Sequence, residues 1–170
     1  MLIREARRED AASIAALLVA CWRVTYRQFV PTDYLDALDA VSWAERIEDG
    51  IRTGPQLTYV CEEAGDVLGF VTIGPCRDDD CDPAVDGEIW GLYVRPENWR
   101  QGCGMMLYGR ARDVLASQGF RQVRAWVFRD NTIGLRFYSS VGFALDGASK
   151  TLQRGRPLKA VRLSKPLGHA

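Results

Sequence analysis

The spacing of apolar residues changes period near residue 96, in the middle of the chain. Residues 88–94 are rich in β-branched and aromatic side chains and apolar on both faces, which predicts a central strand covered on two sides. Pro96 ends this strand. From Leu107 onward apolar residues recur at i+4, i+7 and i+8, which predicts an amphipathic helix. The loop between strand and helix contains Gly102 and Gly104.

One strand and two helices are predicted before this centre. Residues 2–6 form the strand candidate. Asp10 is the predicted N-cap of a helix with apolar residues on one face. Ser42 and Glu45 have the spacing of a capping box, which predicts a second helix that runs to about Thr53.

A β-hairpin and an acidic segment come next. Residues 56–63 and 67–74 are strand candidates, joined by Ala64-Gly65-Asp66, and they lead antiparallel into the central strand. Residues 77–87 contain five aspartates but lack the pattern of a calcium loop. We interpret them as a solvated loop, with the alternative that they form an acidic rim which attracts a cationic amine.

Strands and helices alternate in the C-terminal half. Gly119 ends the central helix, and a strand follows through Phe128, which predicts a parallel, right-handed crossover. A further helix starts at Asn131 and ends at Gly142. Residues 157–165 are predicted to return as an edge strand. An exposed final strand permits pairing between protomers, so a homodimer is one predicted assembly.

The composition is that of one ordinary globular domain. The 170 residues are 47% hydrophobic and 26% charged, so we predict a single domain over residues 1–170. A formal net charge of zero argues against nucleic acid or an anionic membrane as the main partner. The longest apolar run, residues 14–22, is shorter than the roughly 20 residues that span a membrane. With no signal-peptide pattern at the start, we expect a cytoplasmic protein.

The cysteines and the histidine do not form a metal-binding pattern. The five cysteines include no Cys-x-x-Cys pair, and the one histidine is His169, so we predict no metal site. Cys103 lies in the glycine loop, where a helix N-terminus can activate a thiol. We interpret it instead as a small side chain packed under the loop.

The glycine loop is a predicted anion site. A strand, a Gly-x-Gly turn and a helix in this order direct backbone N–H groups and the positive end of a helix dipole at one point, which suits a phosphate or diphosphate. Arg100 can add a charge-assisted contact. The third glycine of a dinucleotide fold and the Gly-Lys-Ser/Thr of a P-loop are both absent, which disfavours those two nucleotide folds.

Two segments resemble signatures of the GCN5-related N-acetyltransferase (GNAT) superfamily. Residues 92–107 are similar to its acyl-CoA diphosphate motif, Gln/Arg-x-x-Gly-x-Gly/Ala, with Trp99 at the first position. Residues 131–143 are similar to its second signature, Asn-x-x-Ala-x-x-Phe-Tyr-x-x-x-Gly-Phe, with Gly134 in place of alanine. The resemblance implies a single domain of α/β (α+β) class, with a mixed central sheet of six to seven strands, about four helices and splayed central parallel strands.

The resemblance also implies acetyl-CoA as the acyl donor and no metal. Backbone amides of the central strand would meet the carbonyl oxygen of the acetyl group, and Gly91 would permit a bulge that separates the central strands. A missing side chain at Gly134 would let a ligand approach the helix. The residues expected at the cofactor are Leu92, Tyr93, Val94, Trp99, Arg100, Gln101, Gly102, Cys103, Gly104, Met105, Asn131, Gly134 and Tyr138.

Two residues are candidates for proton transfer. An alkyl amine with a pKa near 10.4 is only about one part in a thousand neutral near pH 7.4, so acetyl transfer to it needs a base or a desolvating site. Glu88 is the candidate base, acting through a water molecule or in an environment that strengthens it. The alternative is that Glu88 merely begins the strand. The resemblance makes Tyr138 the general acid, or chiefly a hydrogen-bond donor, to the departing thiolate.

An aromatic group marks the predicted acceptor side. Trp22 and Tyr26 are four residues apart on a helix, and with Phe29 and Glu88 they are the predicted substrate-binding residues. The aromatic rings have an equally good interpretation as part of the core. The segment around Trp22 and the C-terminal half are loosely similar to polyamine and small-amine acetyltransferases.

These features lead to one functional hypothesis and one alternative. The first is an enzyme that moves an acetyl group from acetyl-CoA directly to a primary amine of a small molecule or a peptide N-terminus, with no covalent intermediate. The alternative is a non-catalytic acyl-CoA-binding sensor or regulatory module. The enzyme hypothesis requires that the glycine turn is open and that Tyr138 faces the same cleft.

Overall fold

One mixed sheet organises the computed structural model, which describes residues 1–168. The strands are β1 (Leu2–Glu5), β2 (Leu57–Glu63), β3 (Asp66–Pro75), β4 (Asp86–Val94), β5 (Gln122–Phe128), β6 (Ala144–Gln153) and β7 (Pro157–Pro166). The helices are α1 (Ala11–Thr25), α2 (Thr32–Asp36), α3 (Ala40–Thr53), α4 (Cys103–Ser117) and α5 (Thr132–Ser140). His169 lies outside the described residues.

The strand order is β1-β2-β3-β4-β5-β7-β6, and β4 and β5 are the parallel pair among antiparallel neighbours. A mixed α/β fold with seven strands within residues 1–168 confirms the predicted fold class. None of the helices described here is both long enough and apolar enough to cross a membrane.

Apolar cores lie on both faces of the sheet. On one face α4 packs its fully buried Leu107 and Leu115 against the strands. On the other face Ile14 of α1 is buried with Val60 of β2. Full burial of each such side chain contributes roughly 1.5–3 kcal/mol, so both layers stabilise the sheet. The prediction of a central region covered on two sides is confirmed.

The end of the chain departs from the predicted topology. Residues 157–165 belong to β7, which lies between β5 and β6, so the predicted edge strand is wrong. The edge is β6, a strand that the apolar pattern does not reveal. Its residues are mostly exposed, and Gly147, with a φ of +95°, lies in the irregularity that interrupts its pairing between Leu145 and Ser149.

Asp10 occupies the predicted N-cap position of α1 without making the capping hydrogen bond, and the N-cap of α3 differs from the predicted one. Asp10 precedes α1, but its carboxylate makes no capping hydrogen bond and instead accepts from the Arg4 guanidinium at 2.7 Å. The cap of α3 is Asp39, whose carboxylate accepts from the amides of Val41 and Ser42 at 3.0 and 3.1 Å. Because this stronger acceptor lies three residues earlier, Ser42 is inside the helix, and its hydroxyl donates to Asp39.

The two parallel central strands separate part-way along their length. Pairing of β4 with β5 covers only Asp86–Ile89, whereas β4 continues to Val94 alongside β3. The register of β4 against β3 shifts between Ile89 and Gly91, so Trp90 is the extra, bulged residue. The bulge therefore lies next to the predicted Gly91, and beyond it the strands are splayed.

Candidate active site

A cleft of about 1100 Å³ occupies the fork between β4 and β5. Side chains from α1, β4, α4, α5 and the β5-β7-β6 part of the sheet line it. The predicted site residues that line the cleft are Trp22, Tyr26, Glu88, Leu92, Tyr93, Val94, Trp99, Arg100, Gly102, Gly104, Met105, Asn131, Gly134 and Tyr138. Three predicted residues do not line it: Phe29, Gln101 and Cys103.

The glycine turn before α4 is open. Gly102 has a φ of +90°, and a Cβ at this position would meet no atom within 4 Å. The first helical hydrogen bond of α4 runs from the Met106 amide to the Gly102 carbonyl, so the amides of Cys103, Gly104 and Met105 have no partner within the helix. An unobstructed turn with free amides at the start of a 15-residue helix suits an anion.

Trp99 fastens this turn to the end of the central strand. Its indole N–H donates to the Val94 carbonyl at 2.7 Å. Gln101 points elsewhere, because its amide donates to the Glu97 carbonyl at 2.9 Å and its side chain is exposed. The residue that replaces the motif's glutamine or arginine therefore holds the backbone in place.

Cys103 is packed under the turn, as predicted. Its side chain is 1% exposed, and a Cβ at Gly69 would lie 2.9 Å from the Cys103 sulfur. Burial, together with the neighbouring Cys61 thiol, raises the pKa of the Cys103 thiol well above its usual value. A thiol that keeps its proton is a poor nucleophile, so only the backbone of Cys103 is suited to a role in the turn.

Tyr138 faces the cleft from α5. Its ring is buried against Phe137 and Phe143, with ring centroids 5.5 and 5.1 Å away, and its hydroxyl hydrogen-bonds to no residue in the described range 1–168. Burial raises the pKa of Tyr138 well above that of free tyrosine. The phenol therefore stays protonated and can donate a hydrogen bond to a group in the cleft.

Asn131 and Gly134 form the start of α5, and both line the cleft. The Asn131 side-chain oxygen accepts from the Gly134 amide at 3.0 Å, which makes it the N-cap. A Cβ at Gly134 would lie 2.6 Å from the Asn131 side-chain nitrogen. The Asn131 amide therefore occupies the space beside Gly134, and both residues line the cleft, so contact between Gly134 and a ligand stays a prediction.

Glu88 is buried at the fork and paired with Arg77. Its side chain is 1% exposed. One carboxylate oxygen accepts from the Arg77 amide and Nε, both at 3.1 Å, and the other accepts from Nη2 of the same guanidinium. Arg77 also lies over the Trp90 ring, 4.1 Å from its centroid. Glu88 is thus a charged partner of an arginine that composition and spacing do not single out.

The aromatic group near α1 belongs to the core and also forms part of the cleft wall. Trp22 and Tyr26 pack edge to face at 4.9 Å, and both rings meet Phe128 of β5 edge to face. They are buried in the core and also line the cleft. Phe29 belongs to the same cluster, 5.3 Å from Tyr26, but it lies behind the cleft wall.

The acidic segment is not a freely solvated loop. Asp78 accepts from the Trp126 indole at 2.8 Å and from Arg162 at 3.0 Å, and Asp80 accepts from Arg162 at 2.6 Å. Partial burial acts to raise the pKa of Asp78, but the hydrogen bonds from Arg162 and Trp126 outweigh it and lower that pKa. Hydrogen bonds from Arg162 lower the pKa of Asp80 to about 2.

Three side chains in and next to the acidic segment lie close together. Cys76, Asp78 and Cys81 place sulfur and carboxylate atoms within 4.8 Å of one another. However, the Asp78 carboxylate is occupied by Trp126 and Arg162, and Arg162 Nη1 lies 3.8 Å from the Cys81 sulfur. The arginine disfavours a metal cation at this point.

Several cleft residues lie too far along the chain for sequence motifs to reveal them. They are Trp126 of β5, Lys150 and Leu152 of β6, and Arg154 just beyond β6. The order β5-β7-β6 brings them to one face of the sheet. The alternation of strand residues was a usable signal for Trp126, but no pattern predicted β6.

Comparisons with known proteins agree with this geometry. The model of the Acetyltransferase (GNAT) family matches residues 12–143. YuaI, an uncharacterized N-acetyltransferase of Bacillus subtilis (strain 168), is 33% identical over 129 residues, which are 76% of this chain and 72% of YuaI. A spermidine N(1)-acetyltransferase of Thermoplasma acidophilum is 22% identical over 149 residues, which are 85% of this chain and 88% of that protein.

A solved structure shares the fold over nearly the whole chain. The PaiA N-acetyltransferase from Thermoplasma acidophilum, in complex with coenzyme A, superposes with a TM-score of 0.76 at 19% identity. The match covers 97% of this chain and 98% of that one. Two signatures in order, an open glycine turn beside a buried tyrosine and a family match over residues 12–143 lead to one conclusion: the chain belongs to the acetyltransferase (GNAT) family and is an acetyl-CoA-dependent N-acetyltransferase.

Proposed function

We propose that this enzyme transfers the acetyl group of acetyl-CoA directly to a primary amine of a small molecule or a peptide N-terminus, with no covalent enzyme intermediate. The observation that carries the proposal is that the open glycine turn and the Tyr138 hydroxyl share one cleft. An anion site at one end of the cleft and a protonated phenol further in match the diphosphate and the thioester of an acyl-CoA.

The cofactor's diphosphate lies on the glycine turn in this proposal. The free amides at the start of α4 donate to it, and Arg100, which also lines the cleft, adds a charge-assisted contact. The pantetheine arm runs along residues 92–94, where β4 has no strand beside it on the β5 side. It takes the place of the missing strand and uses the same backbone groups.

The acetyl group then reacts where the two strands part. The amine nitrogen attacks the thioester carbonyl carbon, the C–N bond forms, and the C–S bond breaks with its electron pair on sulfur. Backbone amides of β4 near the bulge at Trp90 meet the negative charge on the carbonyl oxygen. The amine loses one proton and the departing thiolate gains one, so the products are the amide, free coenzyme A and, from an ammonium substrate, one proton.

Tyr138 stabilises the departing thiolate chiefly by hydrogen bonding. Because burial raises the pKa of its hydroxyl, full transfer of that proton to sulfur is uphill, whereas a hydrogen bond is not. Its hydroxyl is free to make that bond, since no residue in the range 1–168 uses it.

Glu88 is the proposed proton acceptor for the amine, acting while it is held by Arg77. Producing the neutral amine near pH 7.4 costs roughly 4 kcal/mol, so a nearby carboxylate contributes even if it acts through water. The buried Glu88 carboxylate lies at the fork, where the acceptor must reach the thioester.

The test is the release of thiol from acetyl-CoA with a panel of amines. The panel contains amino acids, polyamines, aminoglycosides and peptides with free N-termini, and calorimetry measures acetyl-CoA binding in parallel. We expect thiol release with at least one amine and an N-acetylated product by mass spectrometry. Binding of acetyl-CoA with no thiol release from any amine would favour the binding-module alternative and overturn the proposal.

A further inference from the structure

The acceptor half of the cleft has an apolar floor on the β5-β7-β6 face. Trp126 and Phe128 are alternate residues of β5, and Ala160 of β7 pairs with Phe128, so the three share a face. Leu152 of β6 adds to this floor. Substrate that lies here contacts aromatic and aliphatic side chains.

Two cations stand at the rim of that floor. Lys150 alternates with Leu152 along β6, so the two share a face, and Arg154 follows directly after the strand. Lys150 and Arg154 both line the cleft. The Lys150 ammonium lies 3.9 Å from the Trp126 ring centroid, and the Arg154 guanidinium carbon lies 6.0 Å from that of Trp22. A positive charge therefore faces each of the two tryptophans.

Arg154 has donors to spare. Its Nη1 donates to the Gln153 carbonyl at 2.7 Å, and it forms no ion pair with any carboxylate of residues 1–168. A guanidinium has five N–H donors, and carboxylate is the partner whose geometry matches them best. The unused donors lie at the mouth of the acceptor floor.

The acids of the same cleft are already occupied. Glu88 accepts hydrogen bonds from three donors of Arg77. Asp78 accepts hydrogen bonds from Trp126 and Arg162, and its other carboxylate oxygen lies 3.5 Å from the Lys150 ammonium. A second ammonium group on the acceptor would meet Lys150 and Arg154 without a free carboxylate to bind. Polyamines are thus a poor fit to this half of the cleft.

We infer that the acceptor amine carries an anionic group, a carboxylate or its chemical equivalent, and that Arg154 binds it. The amine then points inward to the fork, the apolar body covers Trp126 and Phe128, and the anion lies at the rim. This inference rests on the proposed acetyl transfer and narrows its substrate to an amine of amino-acid type with an apolar body.

The test compares acceptors that differ only in this charge. The kcat/KM for thiol release is measured for L-phenylalanine, L-leucine and L-methionine and for their carboxamides. Titration of each acceptor gives the fraction of its amine that is neutral at the assay pH, and each kcat/KM is divided by that fraction. We expect the acids to exceed the amides by at least about tenfold, the factor that one charge-assisted hydrogen bond supplies. Spermidine should react no better than the amides.

Variants of Arg154 then assign the effect. Arg154→Gln should bring acids and amides to near parity, mainly through KM for the acid, and Arg154→Glu should reverse the preference. Arg46→Glu is the matched control, because Arg46 is exposed on α3 and does not line the cleft. The KM for acetyl-CoA should be unchanged in all three variants.

A binding measurement separates this inference from the acetyl-transfer proposal. N-acetyl-L-phenylalanine should bind the wild type more tightly than its carboxamide, and Arg154→Gln should remove the difference. Acetylation of amines without preference for the acid would overturn the inference and leave acetyl transfer intact. Preference for the acid ligand in binding, without thiol release from any amine, would overturn acetyl transfer alone.

Discussion

The side chain of Tyr138 is mostly buried and lines the cleft, and its hydroxyl has a raised pKa. Tyr138→Phe removes one hydrogen-bond donor and keeps the ring packed between Phe137 and Phe143. We expect kcat to fall about 10- to 100-fold while the dissociation constant for acetyl-CoA stays unchanged, because the proposed contact of the hydroxyl is to the sulfur as it leaves. Stopped-flow thiol release and calorimetry check the two quantities.

Tyr59→Phe is the control for this prediction. Tyr59 is also buried, but it lies outside the cleft near Arg110. The raised pKa adds a pH criterion: Tyr138 keeps its proton through the range near pH 10 where free tyrosine ionises, so its loss of a proton should produce no alkaline decline there. A wild-type rate in Tyr138→Phe would show that the phenol only packs.

For Glu88 we expect that the charge of the side chain matters for activity, rather than its shape. Glu88→Gln keeps the volume but removes the carboxylate that would accept the proton, so we expect kcat/KM to fall by about 10² or more. Arg77 loses its anionic partner in the same variant. The measurement is kcat/KM for the best amine from pH 5 to pH 9.

Glu62→Gln is a matched control for that experiment. Glu62 also accepts from an arginine, Arg4, at 2.6 Å, but it lies outside the cleft. A kcat/KM in Glu88→Gln that equals that of the wild type would mean that Glu88 begins the strand and anchors Arg77 without moving a proton.

At the scale of the element, the two ends of α4 provide an internal comparison. Gly102 precedes the helix and Gly119 follows it, with φ of +90° and +88°, and a Cβ at either would meet nothing within 4 Å. Alanine should therefore strain both positions equally, by about 1–2 kcal/mol. Only Gly102→Ala should also raise the KM for acetyl-CoA, by about tenfold, because the turn at Gly102 is the one that we propose donates amides to the diphosphate.

Thermal denaturation and acetyl-CoA titration of the two variants test this prediction. Equal losses of Tm with a KM change confined to Gly102→Ala would support the diphosphate site. Equal KM changes in both variants would place the effect in the helix as a whole rather than in its first turn.

Elements with a strong local pattern were predictable, and elements fixed by distant partners were not. The central strand, the glycine turn and α4 follow from apolar period and glycine spacing alone. By contrast, β6 is polar and interrupted by Gly147, and it forms because β7 pairs with it. The cap of α3 was misplaced for a different reason, since Asp39 and Ser42 both fit and only the geometry favours Asp39.

The whole molecule explains why one half of the cleft was predicted and the other was not. The half proposed for the cofactor comes from residues 88–143, a continuous stretch that carries both signatures. The half proposed for the acceptor combines α1 and the loop after β3 with Trp126, Lys150 and Arg154, which only the strand order brings together. The charge pattern of this half depends on which acidic side chains pair with arginine. Asp78 and Arg162 pair although they are 84 residues apart, and the sequence does not reveal such a pair.

Arg162 connects the loop after β3 to the far side of the sheet, and it gives the molecule an acid-sensitive network. Its guanidinium is buried on β7 and binds Asp78, Asp80 and Asp146 at 3.0, 2.6 and 2.7 Å. Because the pKa values of Asp78 and Asp80 are lower in the fold than in the unfolded chain, their stabilisation is complete above about pH 4 and is lost as the pH falls towards 2.

We therefore expect Tm to be nearly constant from neutral pH to about pH 4.5 and to fall below pH 4. Arg162→Met should lower Tm at pH 7 by about 5 °C or more, because three carboxylates lose their partner and a chain of this size shifts roughly 2–4 °C per kcal/mol. The same variant should show a smaller further drop in acid. Arg8→Met is the control. Arg8 pairs with Glu48 at the exposed surface, so this variant should change neither the Tm at pH 7 nor its drop in acid measurably.

An Arg162→Met protein whose Tm falls in acid as that of the wild type does would mean that other carboxylates, such as Asp10 beside Arg4, set the pH dependence.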